Sequence, residues 1–236
     1  MSPTFDDEEK RSLQDKLNEV RKLEGSILDH QEVLSSRPSH RVRIAESERC
    51  VREYARGYTL DVGCAEGYFC GIAKQAGAER VVGIDISPNK IERARLRHPD
   101  CEFLTGDVIQ PAVVEAPADV VLCFEVLQHL ASYLQGILRL SHMVKPGGTL
   151  ILSVPNLSPD LCHRQTEIDQ GLSVEQLLRL VGGGGLGTRN GVWYFHAPLL
   201  FSEIEALGFS SIRTAPIDTF DGQRKGVWWV GCFRKS

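Results

Sequence analysis

Leu60-Asp61-Val62-Gly63-Cys64-Ala65-Glu66-Gly67 has the form of a buried strand that breaks into a tight turn. Tyr58 and Thr59 lengthen the apolar run, and the paired glycines end it. Glycine at 63 and 67 lets the backbone come close to a ligand. The helix expected next, Tyr68 to Ala76 and closed by Gly77, points its N-terminus at whatever the turn holds, which favours a negative group there. Downstream the same rhythm repeats. RVVGIDI (80–86) reads as a strand and Pro88–Arg97 as a helix, with CEFLTGD (101–107) and ADVVLCFEV (118–126) as further strands. A helix through Tyr133 to Met143 then leads to a fifth strand, GTLILSVP (148–155). Short apolar strands alternating with helices of about ten residues predict βαβ units and a doubly wound parallel α/β sheet, with ligands beyond the strand C-termini.

The flanks differ. Residues 6–36 hold no Phe, Trp or Tyr, and Leu13, Leu17, Val20, Leu23 and Ile27 recur at helical spacing. That stripe suits a helix packed on the main domain or in a homodimer; a lid over the substrate is the alternative. A second helix is expected from Ser39, as N-cap, to Arg56, with arginines 41, 43, 49, 52 and 56 as a solvated cationic face or, for one or two of them, an anion site. The organisation predicted is an N-terminal helical cap over 1–56 and a ligand-binding domain over 57–236, with an acceptor-pocket insertion around 155–200. In the tail, VGGGGLGTRNG (181–191) reads as a flexible loop and Pro198–Leu207 as a helix. Strands near Ser210–Ala215 and Val227–Arg234 are expected to pair antiparallel.

Composition limits the function. The chain has 236 residues, 31 acidic and 27 basic, so its net charge of −4 disfavours non-specific binding to a phosphate backbone. An apolar fraction of 42% excludes wholesale disorder. Its seven cysteines, at 50, 64, 70, 101, 123, 162 and 232, include no C-x-x-C pair, so neither a zinc ribbon nor a thioredoxin-like motif is offered. With no apolar leader-like segment at the N-terminus, a cytoplasmic location is expected.

Asp85 ends the second strand, where a carboxylate can accept hydrogen bonds from two ribose hydroxyls, and Gly106-Asp107 puts another carboxylate at the same rim. The turn offers G-x-x-x-G and not the G-x-G-x-x-G of dinucleotide sites. A nucleoside with an amino-acid tail is therefore favoured over a dinucleotide.

The ordered set D-V-G-C-A-E-G, V-V-G-I-D-I-S, G-D, C-F-E-V-L-Q-H-L and K-P-G-G-T-L resembles the class I S-adenosylmethionine-dependent methyltransferases over about residues 57–234. The resemblance implies a Rossmann-like sheet of seven strands with the last antiparallel, and S-adenosylmethionine as cofactor. It also implies that Gly63, Ala65 and Gly67 shape the methionine pocket, Asp85 holds the ribose, and Asp107 with Val108 meets the adenine. Cys64, Ile86 and Phe124 complete the implied cofactor contacts. Ala65 stands where glycine is commonest, which narrows the pocket. Asp61 would take a hydrogen bond from the turn or from the methionine ammonium, or simply cap the turn.

Phe124-Glu125-Val126-Leu127-Gln128-His129-Leu130 follows the fourth strand and looks like the E-V-x-E-H segment of ubiquinone-pathway O-methyltransferases and small-RNA 2′-O-methyltransferases. Some of those relatives bind a divalent metal. Here Glu125, His129 and His196 could form a weak site, but Gln128 replaces a carboxylate, and an amide is a poorer donor for a hard cation. Without metal, His129 is the expected general base, with Glu125 and His196 as further catalytic candidates. The alternative for His129 is a structural histidine. Trp193-Tyr194-Phe195 could line an acceptor pocket or belong to the core. His40, His163 and Arg41 are weaker candidates near the cap, while His30, His98 and His142 read as surface.

The reading reached is methyl transfer to a hydroxyl of a small molecule: a sugar, phenol, polyketide or lipid-linked intermediate. The alternatives are an RNA 2′-O-methyltransferase, a small-molecule N-methyltransferase and a non-catalytic S-adenosylmethionine-binding protein.

Overall fold

The structure is a computed structural model and describes residues 38–108, 110, 114, 116–130, 132–156, 185–186, 194–218 and 227–236. The stripe over 6–36, His30, His163, Trp193 and most of the 155–200 insertion lie outside the described residues, as does the side chain of His40.

Helix α1 (Pro38–Tyr54) leads into β1 (Tyr58–Val62), α2 (Tyr68–Gln75), β2 (Arg80–Asp85), α3 (Pro88–Arg97) and β3 (Glu102–Thr105). Then come β4 (Ala118–Phe124), a 3-10 turn (Leu127–His129), α4 (Tyr133–Met143) and β5 (Val144–Pro155). Short strands β6 (Gly185–Leu186) and β7 (Tyr194–Phe195) precede α5 (Ala197–Glu205), β8 (Phe209–Ile217) and β9 (Trp228–Lys235). Seven strands form one sheet in the order β3-β2-β1-β4-β5-β9-β8. The pairs among β1 to β5 are parallel, and β9 runs antiparallel to both β5 and β8. This is the Rossmann-like class I methyltransferase sheet, and its strand order reverses between β1 and β4, where such sheets open a crevice.

The apolar runs are continuous because both faces of the sheet are covered. Along β4, Val121 and Cys123 face Ile137, Leu140 and Met143 of α4 and Leu200 and Ile204 of α5. Their neighbours Val120, Leu122 and Phe124 face Ile44 and Val51 of α1, Phe69 and Ile72 of α2, and Ile91 and Ala94 of α3. Local chemistry fixes the helix starts. The Ser87 hydroxyl accepts from Lys90 N–H with Pro88 in the first turn of α3, and Ser132 accepts from Gln135 N–H at the start of α4.

Two expectations change. The glycine-rich 181–191 segment contributes Gly185–Leu186 to an antiparallel pairing with Tyr194–Phe195, too short for any sequence pattern to signal. The arginines of α1 are not one solvated face, because Arg43 is 5% exposed. Arg43, Ser47 and Cys50 recur at steps of four and three, so the helical period puts Arg43 on the buried stripe. The expected cap therefore contains a helix that is part of the second core, and the Tyr68 hydroxyl donates to Glu48 to tie α2 to it.

Candidate active site

The turn after β1 is held from beneath, since Ile84 O accepts from both Gly63 N (2.7 Å) and Cys64 N (3.0 Å). Gly63 sits at φ +74°, and a methyl group there would lie 2.3 Å from Val126 Cγ2, so the turn and the loop after β4 touch through a position only glycine can fill. Ala65 also takes a left-handed conformation, φ 49°, which an L side chain adopts only with strain. Glycine there would be free of that cost.

Asp85 is where the sequence places it, at the end of β2 beside this turn. Its Oδ2 accepts from Ala65 N at 3.0 Å and its Oδ1 from Ser87 N at 2.9 Å. Each oxygen keeps a lone pair for a further donor, as a ribose diol would supply. Gly106 N donates to Asp85 O at 3.0 Å, so the end of β3, with half-exposed Asp107 and Val108, is brought to the same rim. Ile86 is half-buried beside Asp85. The side chains of Cys64 and Phe124 are in the second core, Phe124 against Phe69 with ring centroids 4.3 Å apart. Asp61 is 2% exposed and accepts from the Cys70 thiol at 3.3 Å, a partner from α2 that sequence reading did not offer. Burial pushes its carboxyl up to about 7, the thiol hydrogen bond opposes that rise, and the Asp85 charge adds to it.

After β4 the loop is built around Glu125. Glu125 is left-handed, φ 57°, a strained conformation of the kind that gathers at functional sites. Its Oε1 accepts from the Ser153 hydroxyl at 3.0 Å and its Oε2 from Gln128 Nε2 at 3.1 Å. Arg43 Nη1 lies 3.8 Å from Oε1. The Glu125 carboxylate is thus held by side chains from β5, the 3-10 turn and α1. Buried Gln128 occupies the position of the second carboxylate in the metal-binding segment and donates to Glu125; a glutamate there would repel it. His129 is exposed at the end of the 3-10 turn, its main-chain N bonded to Val126 O at 2.9 Å. His196 sits at the start of α5, half-buried, where its carbonyl accepts from Leu199 N and Leu200 N and its Nδ1 is buried without a hydrogen-bond partner. Among the described residues no three His, Cys, Asp or Glu side chains converge to hold a metal ion, so Glu125, His129 and His196 do not assemble a site. The Arg43 cation at Glu125 fits a metal poorly there.

The remaining candidates fall elsewhere. Phe195 is wholly buried and meets Tyr133 edge-on at 5.3 Å, so that ring of the aromatic patch is core. His142 is exposed as expected. His98 is not plain surface, because its ring packs on Gly71 and Gly67 and burial lowers its pKa. Sequence reading named Arg43 only as one of five arginines on α1 and gave it no partner, and it missed Glu66, whose carboxylate pairs with Arg93 and Arg97 of α3.

A doubly wound sheet with a glycine turn at its crevice, a buried strand-end aspartate and a strained loop after β4 defines an enzyme of the class I methyltransferase fold. The family described as "Methyltransferase domain" matches residues 37–213, three quarters of the chain, and the chain belongs to this family of S-adenosylmethionine-dependent methyltransferases. A probable S-adenosylmethionine-dependent methyltransferase of Mycolicibacterium smegmatis is 26% identical over 174 residues, 72% of this chain and 67% of that one. A tRNA U34 carboxymethyltransferase of Cellvibrio japonicus is 29% identical over 184 residues, 72% of this chain and 51% of that one. A ubiquinone biosynthesis O-methyltransferase of Saccharophagus degradans is 37% identical over 106 residues, 42% of this chain and 44% of that one. The chain thus spans between about half and two thirds of the length of the first two relatives. Solved structures agree on the fold. The N-methyltransferase NodS of Bradyrhizobium japonicum with S-adenosylhomocysteine gives a TM-score of 0.65 at 18% identity, covering 94% of this chain and 97% of that one. Magnesium protoporphyrin IX methyltransferase of Synechocystis gives 0.65 at 20% identity, covering 96% and 100%. No helix among the described residues is long and apolar enough to cross a membrane.

Proposed function

We propose that the chain transfers the methyl group of S-adenosylmethionine to a hydroxyl of a small molecule, such as a sugar, phenol, polyketide or lipid-linked intermediate, with His129 as general base. The observation that supports this most is the arrangement after β4. Glu125 is occupied by Ser153, Gln128 and Arg43, and the other titratable side chain of that loop, His129, is exposed. Methyl transfer from a sulfonium is an in-line displacement, so the protein must chiefly hold donor and acceptor at about 3 Å. Asp85 and the 63–67 turn would fix the donor, with Asp107 and Val108 at the adenine. A hydroxyl must also lose a proton, and an imidazole titrating near neutrality can take it. The ubiquinone O-methyltransferase relative agrees with a hydroxyl acceptor. His196 Nδ1, buried without a hydrogen-bond partner among the described residues, is a candidate to meet the acceptor.

A titration calorimetry experiment with S-adenosylhomocysteine, EDTA present and NAD as control, tests the cofactor; NAD binding in its place would refute it. Once an acceptor is found, His129→Ala is expected to leave S-adenosylhomocysteine affinity within about twofold and to cut turnover by about 10²–10⁴. Unchanged turnover removes His129 from the mechanism.

The relatives named tRNA U34 carboxymethyltransferase support a second reading, an RNA acceptor, with exposed Arg41, Arg52 and Arg56 as phosphate contacts. Binding to single-stranded RNA that weakens steeply with salt favours it; no binding at low salt rejects it.

A further inference from the structure

Glu66 lies inside the cofactor turn, yet its carboxylate pairs with α3 and is nearly shut off from water, with 6% of its side chain exposed. Arg93 Nη1 meets its Oε1 at 2.8 Å and Arg97 Nη1 meets its Oε2 at 2.5 Å. The first contact is a hydrogen-bonded ion pair; the second is a close ion pair without hydrogen-bond alignment, and both arginines are half in solvent. A carboxylate buried this far is stable only with such partners. The turn it belongs to carries one strained residue, Ala65, left-handed at φ 49° between Gly63 and Gly67, which take φ 74° and 83° without steric cost. A backbone of that kind persists only where its surroundings over-determine it.

We infer that Glu66 is a positioning residue for the cofactor: gripped by Arg93 and Arg97, it fixes the 63–67 turn against α3, so that the turn meets the amino-acid end of the ligand already shaped. This rests on the S-adenosylmethionine reading of the site. The ribose side depends on the grip less than the turn does. Helix α3 is anchored by the Ser87 cap and by Ile91 and Ala94 in the core, and Asp85, at the end of β2, accepts from Ser87 N–H outside the turn as well as from Ala65 N–H within it. Losing the grip therefore loosens the part of the turn that faces the tail of the ligand and leaves the ribose carboxylate in place. Preorganisation of a binding loop shows as affinity, because disorder in the free state must be removed on binding.

The probes are S-adenosylhomocysteine and 5′-methylthioadenosine, which share the nucleoside and differ by the amino-acid tail. The variant is Arg93→Gln with Arg97→Gln, chosen because both arginines are half-exposed and their loss does not hollow the core. Affinity for S-adenosylhomocysteine is expected to fall about tenfold. Affinity for 5′-methylthioadenosine is expected to stay within about twofold. Arg93→Lys with Arg97→Lys should recover most of the loss, since each arginine makes a single contact to Glu66 that an ammonium can replace. Equal losses for both ligands would reduce Glu66 to a general stabiliser and overturn the inference, as would an unchanged affinity for S-adenosylhomocysteine. A wild-type chain that binds neither ligand would overturn the cofactor reading and the grip together, whereas a binding wild type with unaffected variants overturns the grip alone.

Discussion

Replacing Gly63 by alanine tests how tightly the cofactor turn and the loop after β4 are fitted. Two separate costs arise. The left-handed backbone, φ +74°, costs an L residue about 1–2 kcal/mol. The new methyl group would sit 2.3 Å from Val126 Cγ2, and relieving such an overlap in a packed region costs about 1–3 kcal/mol. The sum is about 2–5 kcal/mol of lost stability. The two parts separate in a double-mutant cycle with Val126→Ala. That change deletes Cγ2 and leaves Val126 Cβ at 3.5 Å, an ordinary contact, so only the backbone cost survives. Val126→Ala alone should cost about 1 kcal/mol, because Val126 is only partly buried. The double variant should then be about 1–3 kcal/mol more stable than the sum of the single effects predicts. Urea denaturation of the four proteins, with equal m-values required, measures this. Strict additivity would mean that the two loops are not in contact and that Gly63 is needed for its backbone alone. A stable Gly63→Ala would refute both costs.

Other outcomes follow from the same geometry. The folded-state pKa of Asp61, about 7, stands above the ordinary value near 4, so its protonation stabilises the fold at low pH, and that contribution is lost as pH rises from about 4 to about 7. Asp61→Asn should flatten this part of a Tm-against-pH curve; an unchanged slope would show that Asp61 titrates normally. Arg43→Met removes the cation beside Glu125, whose carboxylate is 21% exposed and keeps Ser153 and Gln128 as donors. A cost of about 1–3 kcal/mol in urea denaturation is expected, and Glu125→Gln in the same background should return part of it. A neutral Arg43→Met would mean that the ion pair contributes nothing.

The strands and helices were legible because their signals are local. Pro88–Arg97 and Tyr133–Met143 coincide with the elements expected, since a serine cap precedes each and an apolar stripe runs through both. Strands β1, β2 and β4 were visible as short apolar runs between turn residues. The residues of the loop after β4 were legible as a group but not in their roles. The resemblance of this segment singled out Glu125 and His129, whereas the chain folds there as a 3-10 turn that carries Gln128 back to Glu125. Arg43 was read with its neighbours as a solvated face, the usual place of arginine, with an anion site for one or two of them as the alternative. Its burial becomes intelligible only once Glu125, 82 positions away, is in place beside it.

By itself the sequence determined the alternation of strands and helices, the glycine turn with its strand-end Asp85, and the family likeness, because hydrophobic period, caps and turn residues act over a few positions. Only the tertiary structure decided that Glu125 is held by Ser153, Gln128 and Arg43, that His129 is exposed and that Glu66 pairs with α3. Each of those depends on pairing side chains from distant segments, and electrostatic pairing inside a protein is set by distance and burial, which no local pattern encodes.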